Sequence, residues 1–559
     1  MKVAIIGGVA GGATAAARLR RLDESAEIII FERSGYVSYA NCGLPYYIGG
    51  EIKRRSSLTL QTPKSFKERF NIDVRVNSEV IKIDRARKKV TVKYAGGVYE
   101  ESYDKLIYSP GARPILPDGA ERGNFFPLRT VEDTFAIDDF IRGRSPKSAI
   151  VAGGGFIGLE AAENLVNRGI SVTLIQGGPQ VLPQTDYDIA CFLHAELRRK
   201  GIKLVLSSRV TALEGDEGGV KVLTSSGGYR ADFAIVALGV APDTSLAEEC
   251  GLQLGIKKAV VVDEHMRTSD PDIYAVGDAA QIKNCISGQD ALISLAGPAN
   301  KQGRIAADNI CGMDKTYRGG NGSSVIKVFD LTCAFTGLNT AAARRAGIDF
   351  DRVVLFTANH ATYYPGARNM TLKVLFERKS GRIIGAQAVG YEGVDKRIDV
   401  LAAAMGAKMT AYDLQEVDLA YAPPYSSAKD PVNMAGYVIE DVLGGIKQYH
   451  WEDLPKVLSD PAAFILDVRT AEEFAEGHFE GAVNIPVDEL RARLGEIDGG
   501  KTVYVNCHSG LRSYIACRIL MAHGFDCFNF SGGYRLYAAV KGEAEESDVP
   551  RHPCGIPAV

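Results

Sequence analysis

Residues 3–32 read VAIIGGVAGGATAAARLRRLDESAEIIIFE. An apolar run, Val3–Ile6, leads into the glycine-rich turn Gly7–Gly12 and then into a stretch of good helix formers. A second apolar run, Glu27–Phe31, ends at Glu32, 20 residues beyond the turn. The sequence therefore predicts strand, turn, helix and strand. That order is typical of a dinucleotide site, because glycines let the backbone approach a pyrophosphate, the helix N-terminus faces it, and the acid binds ribose hydroxyls.

The same pattern occurs a second time. Ser148–Ala152 predicts a strand, and GGGFIG at Gly153–Gly158 is a complete G-x-G-x-x-G, whereas the first turn has Val9 at the middle position. A helical stretch and the strand Ser171–Ile175 follow. Two such units in one chain predict two dinucleotide sites.

Two further segments frame the second unit. YDKLIYSPGARP precedes it at Tyr103–Pro114, and TSDPDIYAVGD follows it at Thr268–Asp278. We therefore predict an α/β fold in which one dinucleotide-binding domain, residues 114–239, is inserted into the other, residues 1–113 and 240–324.

Composition excludes several classes of protein. The 559 residues suggest three or four domains, and 65 Lys+Arg against 68 Asp+Glu give a formal charge of −3, so no basic surface for nucleic acid is expected. The ten cysteines form no CxxC pair, no zinc pattern occurs, and no apolar run is long enough for a membrane helix. We expect a cytoplasmic protein without a metal.

These motifs resemble the pyridine nucleotide-disulfide oxidoreductases, flavoprotein reductases with two dinucleotide-binding domains. The resemblance covers residues 1–445 and implies an α+β interface domain at 325–445 that makes a homodimer. It implies that FAD is held by Gly7, Gly11, Gly12, Glu32, Gly111 and Asp278. It implies that NAD(P)H is held by Gly153, Gly155, Gly158 and Gln176. No cation stands beside Gln176 to bind a 2′-phosphate, which favours NADH over NADPH.

Cys42, in SYANCGLPYY, follows the ribose-binding acid at the predicted N-terminus of a helix, where backbone amides favour a thiolate. A buried structural cysteine is the alternative interpretation. In the family this segment delivers a redox cysteine to the flavin, and its disulfide reductases place two cysteines there. With Cys42 alone, the chemistry requires a mixed disulfide, a persulfide or a sulfenic acid.

The segment resembles the coenzyme A–disulfide reductases in particular. NADH oxidases and peroxidases carry a histidine in the first glycine turn, where this chain has Ala10. The resemblance implies coenzyme A ligands at Thr14, Arg18, Arg21, Ser38, Asn41 and Lys429, and two catalytic tyrosines, Tyr363 and Tyr421, from the partner subunit. A lysine and a histidine of some relatives are replaced by Phe70 and Asn300, so we expect Arg18, Arg21 and Lys67 to hold the nucleotide end. The alternatives are a solvated helix face for Arg18, Arg20 and Arg21, and interface packing for the tyrosines.

The C-terminal segment, residues 446–541, has its own α/β pattern. It carries Asp467-Val468-Arg469, GHFEGAVNIP at 477–486 and CHSGLRS at Cys507–Ser513. These motifs resemble a single rhodanese domain, which implies a sulfur-carrying Cys507 in a loop of backbone amides, with Arg512 adding positive charge. An inactive structural domain is the alternative. Cys517, Cys527 and Cys554 have no interpretable spacing, and residues 542–559 form a polar tail.

The resulting prediction is an FAD-dependent, NAD(P)H-driven reductase of coenzyme A disulfide, coenzyme A persulfide or polysulfide, fused to a sulfurtransferase domain. Its partners are a second copy of the chain and small thiols, persulfides or disulfides. Two other functions stay open: a water- or peroxide-forming NADH oxidase, and a flavin-linked thiol sensor that turns over slowly with every sulfur acceptor.

Overall fold

The first glycine turn follows the central strand of a five-stranded parallel sheet. The computed structural model describes residues 1–120, 123–216 and 218–542. Residues 3–5 of the first strand are fully buried, because a parallel sheet is covered on both faces. The strands lie in the order Ile273–Ala275, Lys105–Tyr108, Lys2–Ile6, Glu27–Phe31 and Asp73–Arg75. The helices of this domain are Ala10–Leu22, Leu44–Gly49, Pro63–Phe70, Ser245–Glu249 and Ala296–Ile310.

A second parallel sheet surrounds the second glycine turn. Its strands lie in the order Lys203–Val205, Ser171–Ile175, Ser148–Ala152, Phe233–Val236 and Phe125–Pro127. Its helices are Val131–Arg144 and Phe156–Asn167. The chain enters this domain through Ala112–Pro114 and leaves through Val240–Pro242, and these two strands pair with each other antiparallel. The predicted insertion of one dinucleotide-binding domain into the other is confirmed.

Smaller antiparallel sheets complete these two domains. One contains Glu79–Asp84, Lys89–Tyr94 and Gly97–Ser102, and another contains Val210–Asp216, Gly219–Thr224 and Gly227–Ala231. A third small sheet contains Val260–Val261, Ala280–Lys283 and Asp290–Ala291. The contacts group all of this into one unit, residues 1–179 and 201–322, and the rest of the chain into a second unit, residues 180–200 and 323 onward.

The second unit begins with a five-stranded antiparallel sheet. Its order is Ser324–Val328, Leu331–Gly337, Ile383–Gly390, Asn369–Glu377 and Phe350–Ala358. The helices around it are Tyr187–Arg199, Thr340–Arg345, Val394–Gly406, Ala411–Glu416 and Pro431–Leu443. This is the predicted α+β interface domain.

The rhodanese-like part of the same unit has a parallel sheet. Its order is Gln448–Tyr449, Cys527–Phe530, Thr502–Asn506, Ala463–Asp467 and Val483–Asn484. Its helices are Leu454–Leu458, Ala471–Glu476, Leu511–Ala522 and Gly533–Lys541. The predicted fold class is confirmed for all four domains; the domain boundaries stay predictions, and of the predicted tail only Gly542 lies within the described residues.

Polar contacts join the rhodanese-like sheet to the antiparallel sheet of its unit. Arg352 Nη2 donates to Glu452 Oε2 at 2.7 Å, and His450 Nε2 lies 3.1 Å from Asp351 Oδ1. The backbone N–H of Val354 donates to Ser531 Oγ at 3.3 Å. The two domains of this unit therefore contact each other through specific polar interactions and are not joined by a linker alone.

Candidate functional site

The first glycine turn has the geometry that a pyrophosphate needs. Gly7 adopts a φ of +92°, and a Cβ at Gly12 would lie 2.0 Å from the carbonyl oxygen of Gly7. Glu32 turns back to this loop, where its Oε2 accepts from the N–H of Gly8 at 2.9 Å. A cavity of about 250 Å³ lined by Gly7 and Glu32 opens beside it. The residues present therefore fit the adenosine half of FAD, with the acid beside the ribose position.

The second glycine turn repeats this geometry. Gly153 adopts a φ of +114°, and a Cβ at Gly158 would lie 1.8 Å from the carbonyl oxygen of Gly153. Gln176 Oε1 accepts from the N–H of Gly154 at 2.9 Å, in the same way that Glu32 accepts from Gly8. A neutral amide thus takes the place of the acid at the nicotinamide nucleotide site.

The late Gly-Asp motif meets the first domain at an arginine that the sequence analysis did not identify. Arg129 Nη2 donates to Asp278 Oδ2 at 2.6 Å, and Gly111, with a φ of +78°, lies against the same guanidinium. With its amide oriented to satisfy both partners, Asn41 donates to the carbonyl oxygen of Arg129 at 2.9 Å. Arg129 therefore connects Asn41, the residue beside Cys42, with Asp278, a predicted FAD ligand.

Cys42 lies in the short 3₁₀ turn Asn41–Gly43, directly before the helix Leu44–Gly49. Its side chain is exposed, yet protein surrounds the sulfur closely enough for burial to raise the thiol pKa. The Glu160 carboxylate raises this pKa further, whereas Arg129 lowers it. The direction is opposite to our prediction, because burial and the neighbouring Glu160 carboxylate both disfavour the thiolate.

Glu160 is the neighbour that the sequence analysis missed. It lies on the helix Phe156–Asn167 of the second dinucleotide-binding domain, two residues after the glycine turn. Tyr46 OH donates to Glu160 Oε1 at 3.4 Å, and burial raises the pKa of this carboxyl to about 7. The sequence feature that could have identified Glu160 is its position directly after GGGFIGL. Cys42 therefore lies beside elements of both dinucleotide-binding domains.

Several predicted coenzyme A ligands cluster on one helix. Thr14 Oγ1 donates to Asn300 Oδ1 at 2.8 Å, and Arg18 Nε donates to Asp308 Oδ1 at 2.6 Å, while Arg21 is exposed. Ser38 adopts a φ of +48° and donates its N–H to the carbonyl oxygen of Gly8, on the glycine turn. Asn300 thus hydrogen-bonds a predicted ligand instead of supplying the histidine of some relatives.

Arg20 is a structural residue. It is 5% exposed, which contradicts a solvated face, and its guanidinium donates to five backbone carbonyl oxygens, those of Asp23, Glu24, Ala26, Phe70 and Asn71. A buried guanidinium requires such a complete set of acceptors. Lys67, proposed with the arginines, is exposed and donates to Asn71 Oδ1 at 2.7 Å.

The two predicted catalytic tyrosines lie together in the second unit. The Tyr363 and Tyr421 hydroxyls are 2.6 Å apart, and the hydrogen bond between them raises the pKa of Tyr421. Both are exposed, at 74% and 46%, as is Lys429. A cavity of about 490 Å³ adjoins Tyr421 and is lined also by Asn359, His360, Glu392, Lys396, Arg397 and Tyr425. Two phenols on a surface are poorly explained by packing within one chain.

The rhodanese-like site is centred on a buried thiol. Cys507 Sγ accepts from the N–H of Gly510 at 3.1 Å and from Ser513 Oγ at 3.2 Å. Arg512 forms two hydrogen bonds with Glu473, at 2.7 and 2.8 Å. These bonds lower the pKa of Glu473 to about 2, although burial alone would raise it. Arg512 is therefore neutralised by Glu473, which the sequence analysis missed although Thr470 and Glu473 have capping-box spacing.

Two other cysteines of this domain are neighbours. Cys527 Sγ lies 3.6 Å from the carbonyl oxygen of Cys517, and both side chains are buried. Cys554 lies outside the described residues. Within the described ranges no group of three metal-ligating side chains occurs, and no helix there is long and apolar enough to cross a bilayer.

Comparison with protein families agrees with this architecture. Residues 1–303 match the pyridine nucleotide-disulphide oxidoreductases, residues 323–431 match the dimerisation domain of that family, and residues 450–539 match the rhodanese-like domain. The first match covers more than half of the chain, so the chain belongs to the pyridine nucleotide-disulfide oxidoreductase family. The predicted enzyme class, FAD and nicotinamide cofactors, and rhodanese domain are confirmed.

Particular relatives resemble from about four fifths of the chain to nearly all of it. The coenzyme A disulfide reductase of Staphylococcus haemolyticus is 38% identical over 446 residues, which is 79% of this chain and 100% of that protein. The crystal structure of reduced Bacillus anthracis CoADR-RHD matches with a TM-score of 0.95 and 46% identity over 97% of this chain and 98% of that one. An NAD-dependent persulfide reductase from A. fulgidus matches with a TM-score of 0.89 and 38% identity, covering 97% and 100%.

Proposed function

We propose that this protein uses NADH to reduce the sulfur–sulfur bond of coenzyme A disulfide, coenzyme A persulfide or a polysulfide, through Cys42. The observation that carries the proposal is the position of Cys42, one thiol beside Arg129 and Asp278 of the flavin site and Glu160 of the nicotinamide domain. The names of the similar reductases support the acceptor class. FAD, when bound, transfers two electrons from the nicotinamide to the sulfur.

The role of Cys42 is to hold the acceptor covalently. Its thiolate attacks the disulfide, one thiolate leaves, and a mixed disulfide remains on Cys42. Two electrons then break this bond and restore the thiolate. With coenzyme A persulfide the sum is persulfide plus NADH plus a proton, giving free coenzyme A thiol, hydrogen sulfide and NAD⁺.

The remaining predicted residues have supporting roles. We assign coenzyme A to Thr14, Arg18, Arg21, Ser38 and Asn41, with Asn300 joined to Thr14 in that site. We assign Tyr363, Tyr421 and Lys429 to the site of the partner subunit, where a phenol would donate a proton to a leaving thiolate. The match to a dimerisation domain and the exposure of both tyrosines support this assignment. The cysteines of the described residues are free thiols, which supports a cytoplasmic location.

Replacing Cys42 tests the proposal. Cys42→Ser should retain FAD and its reduction by NADH, followed as loss of flavin absorbance without oxygen, yet lose turnover with every sulfur acceptor, because only the electron exit is removed. Cys285→Ser removes another exposed thiol of the same unit and should keep full turnover. Unchanged turnover of coenzyme A persulfide by Cys42→Ser would refute the assignment, and equally slow turnover of all acceptors by the unaltered enzyme would favour a sensor.

A further inference from the structure

The loops that carry Tyr363 and Tyr421 are held by one buried arginine. Arg397, on the helix Val394–Gly406, is 1% exposed. It lies between loop 359–368, which carries Tyr363, and loop 417–430, which carries Tyr421. No sequence motif identified this residue, because its partners are distant in the chain.

The guanidinium contacts both loops. Arg397 Nη2 lies 2.9 Å from the carbonyl oxygen of Asn359, at the start of the first loop. The same nitrogen lies 3.0 Å from Ser426 Oγ and 3.0 Å from Asp430 Oδ2, in the second loop. Nη1 donates to the carbonyl oxygen of Gly393 at 3.1 Å. Arg397 therefore bonds the first loop, the second loop and its own helix at once.

The acceptors of Arg397 connect the two loops in turn. Ser426 Oγ donates to Asp430 Oδ2 at 2.5 Å, and the carbonyl oxygen of Ser426 accepts from the N–H of Ala361 at 2.9 Å. Asp430 Oδ1 caps the helix Pro431–Leu443 through the N–H of Val432. Ser426 and Asp430 are 1% and 2% exposed. The network thus extends from Arg397 to within two residues of Tyr363.

The chain makes room for an arginine at this place. Gly393 adopts a φ of +70°, and a Cβ there would lie 2.4 Å from Arg397 Nη1. A planar guanidinium can bond several acceptors in fixed directions, whereas a lysine ammonium is a compact charge on a flexible stem. Arg397→Lys therefore keeps the charge beside Asp430 but cannot reproduce the bonds to Asn359, Ser426 and Gly393 together.

We propose that Arg397 is a positioning residue for the sulfur reaction, holding the two tyrosine loops so that the Tyr363–Tyr421 hydroxyl pair keeps its geometry. The proposal rests on the proposed function, since it takes that pair as the group that acts on the acceptor. Of the predicted coenzyme A and flavin ligands, only Lys429 lies in these two loops, so Arg397 acts through the loops that carry the tyrosines and Lys429 and not through the flavin site.

A double-mutant cycle tests this role in the holoenzyme. Tyr421→Phe, Arg397→Lys and their combination are compared for turnover of preformed coenzyme A persulfide and for anaerobic flavin reduction by NADH. Arg397→Lys should lower kcat by about 10²-fold, the scale of an ångström-sized misplacement, and leave flavin reduction unchanged. The double variant should turn over no more slowly than the slower single variant, because the two substitutions remove the same function.

Two further variants separate positioning from folding. Ser426→Ala keeps the Arg397–Asp430 ion pair and removes only the hydroxyl that accepts from Arg397 in the second loop, so a smaller loss of kcat is expected. Arg352→Lys alters another buried arginine of the same unit, 7% exposed and paired with Glu452, and should leave persulfide turnover unchanged.

The outcomes are distinct. If the losses of Arg397→Lys and Tyr421→Phe multiply, or if Arg397→Lys slows flavin reduction equally, the positioning role is overturned while the function stands. If Tyr421→Phe itself has no effect on any acceptor, the assignment of the tyrosines under the proposed function fails instead.

Discussion

At the scale of single residues, the site depends on charges that come from distant parts of the chain. Cys42 and Glu160 are 118 positions apart in the sequence, yet the carboxylate raises the pKa of the thiol. Burial raises the pKa of Glu160 itself to about 7. The charge beside Cys42 therefore changes in the neutral pH range.

Glu160→Gln should lower the pKa of Cys42, because it removes a like charge from beside the thiolate. The difference in Cys42 reactivity between Glu160→Gln and the unaltered enzyme should be largest above pH 7, where Glu160 is ionised. It should disappear below pH 7, where the carboxyl is protonated. The rate of Cys42 alkylation by iodoacetamide, measured from pH 5.5 to 9 in the oxidised holoenzyme, checks this. The control is Glu68→Gln, which alters an exposed acid of the domain that carries Cys42. Superimposable profiles for Glu160→Gln and the unaltered enzyme would contradict the prediction.

The residues that the sequence predicted share a property. Cys42, Cys507 and the glycines lie in contiguous motifs whose spacing follows from local geometry. Glu160, Arg129 and Glu473 act across long sequence separations, and only the fold brings them to their partners. The predicted direction of the Cys42 pKa shift was wrong because burial, its main cause, and the Glu160 carboxylate both arise from the tertiary fold, whereas only the helix was visible in the sequence.

At the scale of elements, the two glycine turns were predictable nearly to the residue. The predicted strands Glu27–Phe31 and Ser171–Ile175 are observed with those bounds. The helix Tyr187–Arg199 behaves differently. It belongs in sequence to the second dinucleotide-binding domain but lies in the second unit, where Asp188 binds the buried Lys373 at 2.7 Å. A pair 185 residues apart leaves no local signal.

The second glycine turn allows a matched pair of variants. Gly158→Ala should destabilise the protein by about 1–3 kcal/mol, the usual cost of overpacking, because its Cβ would lie 1.8 Å from a backbone oxygen. Gly155→Ala meets nothing within 4 Å, so its Tm should be unchanged. The added methyl should instead raise the KM for NADH, because it occupies the side from which the pyrophosphate approaches.

Thermal unfolding and flavin reduction distinguish these two effects. Both variants should keep FAD and be reduced normally by dithionite, since the first glycine turn is intact. An unchanged KM for NADH in Gly155→Ala would remove this turn from the nucleotide site.

At the scale of the whole molecule, one chain carries two thiols that we predict to be reactive, and they lie in different units, Cys42 in the first and Cys507 in the second. The rhodanese-like domain is joined to the antiparallel sheet through His450 and Glu452. Burial lowers the pKa of His450, and Asp351, its partner, also has a lowered pKa despite burial. Both shifts reduce stability as pH falls, because the unfolded chain binds the protons more readily. The junction is therefore most stable at neutral and higher pH.

The presence of both domains in one chain predicts that the two thiols carry out different steps. With a sulfane-sulfur donor such as thiosulfate, Cys507 attacks the outer sulfur, sulfite leaves, and a persulfide forms on Cys507. Coenzyme A thiolate then takes that sulfur, which restores Cys507 and yields the coenzyme A persulfide that Cys42 and NADH reduce. Because both domains belong to one chain, the coenzyme A persulfide made at the rhodanese-like domain meets a raised effective concentration of the reductase site.

Cys507→Ser should therefore lose sulfide production from thiosulfate and coenzyme A, yet reduce preformed coenzyme A persulfide at the unaltered rate. Cys42→Ser should fail with both substrates, because the reductive step is common to them. Sulfide released per NADH oxidised, measured for each variant with each substrate, separates the two steps. An equal defect of Cys507→Ser with preformed persulfide would place Cys507 in the reductive step itself, and the relay between the domains would have to be abandoned.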